Sequence, residues 1–150
     1  EYSFMWIGGE KLKAFSLNAE LLSLLKNKPD NVTITGLISY DEMPLHYNMG
    51  DVLLFPSYQE VAPMVVIEAA ACGLPVVVRD LEQYKQIYKD EYIGCENVDA
   101  FVETIKLLAT NKEKHGLMIE KSRKLSDISS IDIIGQAYTT LYKSLLYPRT

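Results

Sequence analysis

Cysteine and histidine are scarce in this chain: Cys72 and Cys95 are its only thiols, His46 and His115 its only imidazoles. The cysteines have neither the spacing of zinc ligands nor a disulfide framework around them, which points to a reduced, cytoplasmic setting. The histidines belong to no catalytic constellation and read as surface or helix-packing residues. No metal ion and no cofactor is expected. Positive charge is short as well. Fifteen Lys and Arg stand against twenty Asp and Glu, a net charge of −5, which excludes nucleic acid as the principal partner. Lys85, Lys89, Lys121, Arg123 and Lys124 form no single stripe of the kind that binds a membrane surface. Long apolar runs are missing: none approaches the ~20 residues of a membrane span, and no signal-peptide pattern opens the chain. Repeats, low-complexity tracts and interdomain linkers are also absent. The chain begins "EYSFMWIGG", directly on a strand-like run and without an initiator methionine, and reads as a piece of something larger.

What is present is an alternation of short apolar runs and helical patterns within 150 residues, the size of one domain. "YSFMWI" stops at Gly8-Gly9, and "FSLNAELLSLL" has helical spacing. "NVTIT" is a strand closed by Gly36. "DEMPLHYNMG" is helical with Gly50 as its stop, and "DVLLF" is a buried strand. Pro63 suits the first position of the next helix and Gly73 its C-terminal cap. "PVVV" is a strand, "LEQYKQIY" a short helix, and "YIGC" a last short strand. Helices follow around "VDAFVETIKLLAT", "KEKHGLMIEKSRKL" and "IDIIGQAYTTLYKSLLY". Continuous apolar strands separated by helices predict a doubly wound α/β domain with a parallel sheet covered on both faces. Such sheets bind ligands beyond the carboxyl ends of their strands, so Gly8-Gly9, Gly36 and the loop Ser57 to Ala62 are expected along one edge.

The stretch "PSYQEVAPMVVIEAAACGLPVVV", residues 56 to 78, carries the chemistry. Glu60 lies in the loop before the helix, and Glu68 interrupts an apolar run one to two turns inside it. A buried carboxylate is costly without a partner. The free N–H groups of the first turn, near Met64 and Val65, make an anion seat favoured by the helix dipole. Carboxylates accept paired hydrogen bonds, so vicinal sugar hydroxyls are natural partners on either side of that seat. Ala69, Ala70 and Ala71 let the helix lie close to its sheet. The residues alone leave two readings of Glu68 open: a ligand-paired carboxylate, or a structural acid held by local backbone donors.

The run "NVTITGLISYDEMPLHYNMGDVLLFPSYQEVAPMVVIEAAACGLPVVV" resembles the nucleotide-sugar half of family 4 retaining glycosyltransferases, also called glycosyl transferases group 1. Gly36, Asp51 to Ser57, the E-x7-E pair Glu60 and Glu68, and Glu68 to Val77 follow the family pattern in order. The resemblance implies a Rossmann-like C-terminal half of a GT-B enzyme, with residues 1–150 as the donor nucleotide-sugar-binding domain. It gives Glu68 the ribose hydroxyls and Glu60, as the catalytic residue, the hydroxyls of the transferred sugar. Backbone N–H groups of Met64, Val65 and Val66 would face the diphosphate, and the backbone of Gly36, Leu37 and Ile38 the base. The donor it implies is a UDP-sugar, UDP-glucose first. The acceptor would be a lipid or glycan, bound by a domain that this chain lacks.

Two departures are visible. The family commonly has Gly-Phe-Gly after the first glutamate, where this chain has Val61-Ala62-Pro63. After the "PVV" strand the family often turns on Gly-Gly, whereas "RDLEQYKQIY" here is similar to glycolipid-synthesising glucosyltransferases of Gram-positive bacteria. That likeness implies a peripheral place at the inner membrane face. The Arg and Lys that grip the diphosphate in the family lie in the first β–α segment, upstream of Glu1. Gly9 and Glu10 read as a plain turn or as the border of the donor site. A non-catalytic nucleotide-sugar-binding or regulatory module is the alternative function, and a nucleotide-sugar epimerase ranks behind both. In the final helix Ile133, Ile134, Ala137, Tyr138, Leu141, Tyr142, Leu145 and Leu146 form a wide apolar face. Core packing would account for it. In GT-B enzymes that helix crosses to the other domain, so the face would be orphaned on a lone domain and lead to self-association.

Overall fold

The computed structural model describes residues 2–8 and 19–147. The chain forms two compact units, Glu1–His46 and Tyr47–Thr150. In the first, β1 (Phe4–Trp6), α1 (Ala19–Lys26) and β2 (Val32–Ile34) follow in order. The two strands pair in parallel, with Phe4 opposite Val32 and Trp6 opposite Ile34. Gly36 closes β2 at φ +75°, a conformation that L side chains resist, and bridges to Gly8. A 3₁₀ turn (Tyr40–Glu42) leads into α2 (Met43–Asn48). The Glu42 carboxylate accepts from the Ser39 hydroxyl (2.8 Å) and N–H (3.1 Å), fixing the entry to that turn.

The second unit contains β3 (Leu53–Phe55), α3 (Met64–Ala71), β4 (Val76–Arg79), α4 (Glu82–Tyr88) and β5 (Ile93–Cys95). Three longer helices follow, α5 (Val98–Thr110), α6 (Lys112–Ile128) and α7 (Ile131–Leu146). The strands run in parallel in the order β3-β4-β5, with Leu54 opposite Val77 and Val77 opposite Ile93. The period-two alternation of β4 divides the core. Val76 and Val78 pack with Val66 and Ala70 of α3, Tyr84 and Tyr88 of α4 and Leu125 of α6. Val77 faces the other way, onto Cys95, Phe101 and Leu108 of α5 and Met118 of α6. A strand buried on both faces must be apolar at every position, which is why "PVVV" is legible as an interior parallel strand.

The turn from α3 to β4 follows from Gly73. At φ +78° it lets its own N–H reach the Ala70 carbonyl (2.9 Å) and the Leu74 N–H reach that of Ala69 (3.0 Å). These two bonds satisfy the last helical carbonyls and aim the chain into the sheet. The Ser122 hydroxyl of α6 donates to the Leu74 carbonyl and secures the same corner from behind. Asn97 and Asn111 cap α5 and α6, each accepting from the N–H three residues on at 2.9 Å.

Tyr84, Tyr88 and Tyr92 form an aromatic cluster with ring centroids 5.1 to 6.4 Å apart. The Tyr84 hydroxyl is buried and takes no hydrogen bond among the described residues. Burial, and then the charge of Glu60, push its pKa up to about 12. Tyr88 is raised too, by burial first and then by Tyr84 and Glu60. Above the ordinary tyrosine pKa of about 10 the unfolded chain releases protons that the folded chain keeps. Stability held below pH 10 should therefore fall as pH rises towards 12. In urea titrations Tyr84→Phe should flatten that alkaline decline without loss at pH 7. A decline as steep as in the parent chain would show that Tyr84 does not contribute to it.

Candidate functional site

The loop from Pro56 to Pro63 leaves the carboxyl end of β3 and enters α3. Ser57 donates its hydroxyl proton to the Glu60 carboxylate (Oγ to Oε1, 2.9 Å). The Gln83 side-chain amide donates to the Glu60 carbonyl at 2.7 Å. Arg79, buried at the end of β4, donates from Nε to the Pro56 carbonyl (3.0 Å) and from Nη1 to that of Glu96 (3.1 Å). Its guanidinium lies 3.7 Å from the ring centre of the exposed Tyr58. The Tyr88 hydroxyl donates to the Pro63 carbonyl at 3.3 Å. The first carboxylate thus rides on a loop held from beneath.

Pro63 stands one position earlier than its helix-start preference predicts. Its ψ of 118° makes it the N-cap of α3, and Met64 the first helical residue. Its carbonyl accepts the Tyr88 hydroxyl and the Val66 N–H (3.2 Å). The proline ring therefore removes no donor from the first turn. Val66 already spends its N–H locally, and Met64 and Val65 hold first-turn N–H groups with no carbonyl inside the helix.

Glu68 is half-buried, about 6 Å along the axis from Met64. Its Oε2 accepts from the Tyr47 hydroxyl at 2.8 Å, and its Oε1 takes no hydrogen bond among the described residues. The donor to Oε2 is a side chain, not the local backbone. Glu68 is held by a side chain from 21 positions away, with one oxygen left to accept. One turn on, the Cys72 thiol is pushed up in pKa by burial and then by the Glu68 charge, and burial raises Cys95 as well. Both thiols are kept protonated at neutral pH, which argues against a thiolate nucleophile.

Gly36, Leu37 and Ile38 form the turn after β2 in the first unit. Gly9 and Glu10 lie outside the described residues. His46 Nδ1 meets the Glu42 carbonyl at 3.0 Å and His115 Nε2 that of Asp51 at 3.1 Å, so both contact backbone in their own units. No group of three or more His, Cys, Asp or Glu able to hold a metal occurs among the described residues, and no helix there is long and apolar enough to cross a membrane.

The two carboxylates, eight positions apart, thus stand on a loop and helix beside a parallel sheet. The model for glycosyl transferases group 1 matches residues 4–125. The chain belongs to that family. Among curated relatives it is 28% identical to alpha-galactosylglucosyldiacylglycerol synthase of Streptococcus pneumoniae, over 95% of this chain and 38% of the relative. It is 27% identical to the processive diacylglycerol alpha-glucosyltransferase of Acholeplasma laidlawii, over 96% and 43%. The chain thus spans about two fifths of the length of these relatives. Sucrose-phosphate synthase from Thermosynechococcus elongatus superposes with a TM-score of 0.67 at 24% identity, covering 93% of this chain and 38% of that one. A pneumococcal O-GlcNAc transferase in complex with UDP and GlcNAc gives 0.64 at 17%, covering 85% and 27%. At these identities the likeness establishes the fold, the Rossmann-like half of a GT-B glycosyltransferase.

Tyr47, Ser57, Arg79, Gln83 and Tyr88 were missed by sequence reasoning. Each acts on a partner that only folding brings near, except Ser57, whose three-residue spacing to Glu60 was readable. The face of α7 was readable, but core packing does not account for it. No residue of α7 is buried, and Ile133, Ile134, Tyr138, Leu141, Tyr142, Leu145 and Leu146 are all exposed.

Proposed function

We propose that residues 1–150 are the donor-binding domain of a retaining hexosyltransferase that moves glucose from UDP-glucose to a lipid acceptor. The observation that carries this reading is the pair of held carboxylates flanking the start of α3, Glu60 on Ser57 and Glu68 on Tyr47. Glu68 offers an oxygen to the ribose hydroxyls. The N–H groups of Met64 and Val65 meet the diphosphate, and the Glu60 carboxylate orients the hydroxyls of the sugar. The family resemblance gives the backbone of Gly36, Leu37 and Ile38 to the base. In the reaction the bond from the anomeric carbon to the diphosphate oxygen breaks. The acceptor oxygen attacks from the same face, and its proton passes to the leaving diphosphate. The names of the two glycolipid-synthesising relatives support a diacylglycerol-type acceptor. A lipid acceptor of that kind would place the enzyme peripherally on the inner membrane face. The acceptor-binding part would cover α7, and a lone copy of residues 1–150 would self-associate through that face.

Calorimetry and a transfer assay test this together. The isolated chain is expected to bind UDP and UDP-glucose weakly and to transfer nothing to diacylglycerol in mixed micelles. The longer protein that carries it is expected to transfer glucose. Transfer by the isolated chain, or failure of the longer protein to bind either nucleotide, overturns the reading.

A further inference from the structure

Side chains from outside the loop that carries Glu60 fasten its backbone at three points. Arg79 holds the Pro56 carbonyl at its start, Gln83 the Glu60 carbonyl in its middle, and Tyr88 the Pro63 carbonyl at its end. Arg79 and Tyr88 are buried in the core, so they also belong to the folding of the unit. Gln83 differs. It is half-buried, and among the described residues its side-chain amide makes one hydrogen bond, the 2.7 Å contact to the Glu60 carbonyl. Glu60 is then fixed at two ends, its main chain by Gln83 and its carboxylate by Ser57 (2.9 Å).

From this geometry we infer that Gln83 is a positioning residue for Glu60: helix α4 sets where the first carboxylate sits, and through it how the transferred sugar is presented. The inference rests on the role given to Glu60 above. A carbonyl held by a side-chain donor limits the φ and ψ of its residue, and the reach of a short acid amplifies any slack. Misplacement of a substrate-orienting group by an ångström costs as much as a hundredfold in rate, so partial slack should cost about tenfold.

The experiment uses the longer protein that carries this chain, with UDP-glucose as donor and diacylglycerol in mixed micelles as acceptor. Gln83→Met keeps the length and removes the donor. It should lower kcat about tenfold, with UDP affinity and melting temperature unchanged. Gln83→Glu, equally long and also without the amide donor, should lose at least as much. Gln83→Lys puts a donor back within reach of the same carbonyl and should recover most of the turnover, which a merely structural role would not predict. Adding Gln83→Met to Glu60→Gln should cost nothing further, because both changes act on one carboxylate. If Gln83→Met and Gln83→Glu keep full turnover while Glu60→Gln loses it, the tether carries nothing and the inference fails. Multiplicative losses in the double variant overturn it as well, by placing the action of Gln83 elsewhere. If Glu60→Gln itself turns over normally, the role of Glu60 falls first and this inference with it.

Discussion

Glu68→Gln, made in the longer protein, is expected to loosen free UDP and UDP-glucose by similar factors. Both ligands carry the ribose, and the proposed role of Glu68 is to accept from its hydroxyls. The geometry sharpens the expectation. Tyr47, almost fully buried at 4% exposure, donates to Oε2 and leaves Oε1 without a hydrogen bond among the described residues. Glutamine preserves the shape but weakens both bonds, because its amide offers a single neutral acceptor where the carboxylate has two charged oxygens. A hydrogen bond to a charged group is worth about 1.5–3 kcal/mol, which corresponds to roughly a tenfold to hundredfold loss. Tyr47→Phe should give a smaller loss of the same kind, since it leaves the charge in place and removes only its orientation. Calorimetric titration of both nucleotides against the three proteins decides the matter. A Glu68→Gln variant that binds UDP normally but UDP-glucose poorly would move Glu68 from the ribose to the sugar.

Tyr47 also marks the limit of what the sequence discloses. The strands were legible because burial on both faces demands unbroken apolar runs, and "DVLLF" and "PVVV" have no other economical reading. Gly73 was legible because a helix end at positive φ selects glycine almost by itself. Glu68 was legible as an anomaly, a charge inside "MVVI" and "AAAC". Its partner was not, because a tyrosine 21 positions upstream carries no local sign that its hydroxyl will face an acid. Arg79 was hidden for a different reason. At the end of a valine strand it looks like a residue emerging into solvent, whereas it is 7% exposed and spans from the Pro56 carbonyl to that of Glu96. Pro63 sits one residue before the helix position its type predicts, because N-cap and first-turn prolines share the same φ. What separates them is ψ, which here is set where the Tyr88 hydroxyl takes the Pro63 carbonyl. Local pattern thus gave the frame, and long-range polar contacts decided how the frame holds its two acids.

Glu60→Gln should fail in a different way from Glu68→Gln. UDP lacks the transferred sugar, so its affinity should stay within about twofold of the parent protein, well under the tenfold that 1.4 kcal/mol represents. The loss should appear in kcat/KM for UDP-glucose, on the order of a hundredfold, because a sugar that is not held squarely reaches the breaking bond in poor alignment. The structure gives this variant a clean interpretation. The Glu60 carbonyl, held by Gln83 at 2.7 Å, is untouched by the change, so the loop should keep its course. Ser57 can still donate to the amide oxygen of glutamine, so the side chain keeps its local anchor as well. What is removed is the charge and half of the accepting capacity that the sugar hydroxyls would meet. The check is UDP affinity by calorimetry beside steady-state kinetics with UDP-glucose, both on the longer protein. If Glu60→Gln loosens UDP as much as Glu68→Gln does, the two carboxylates do not divide the donor between sugar and ribose. The first of them would then be a second holder of the nucleotide.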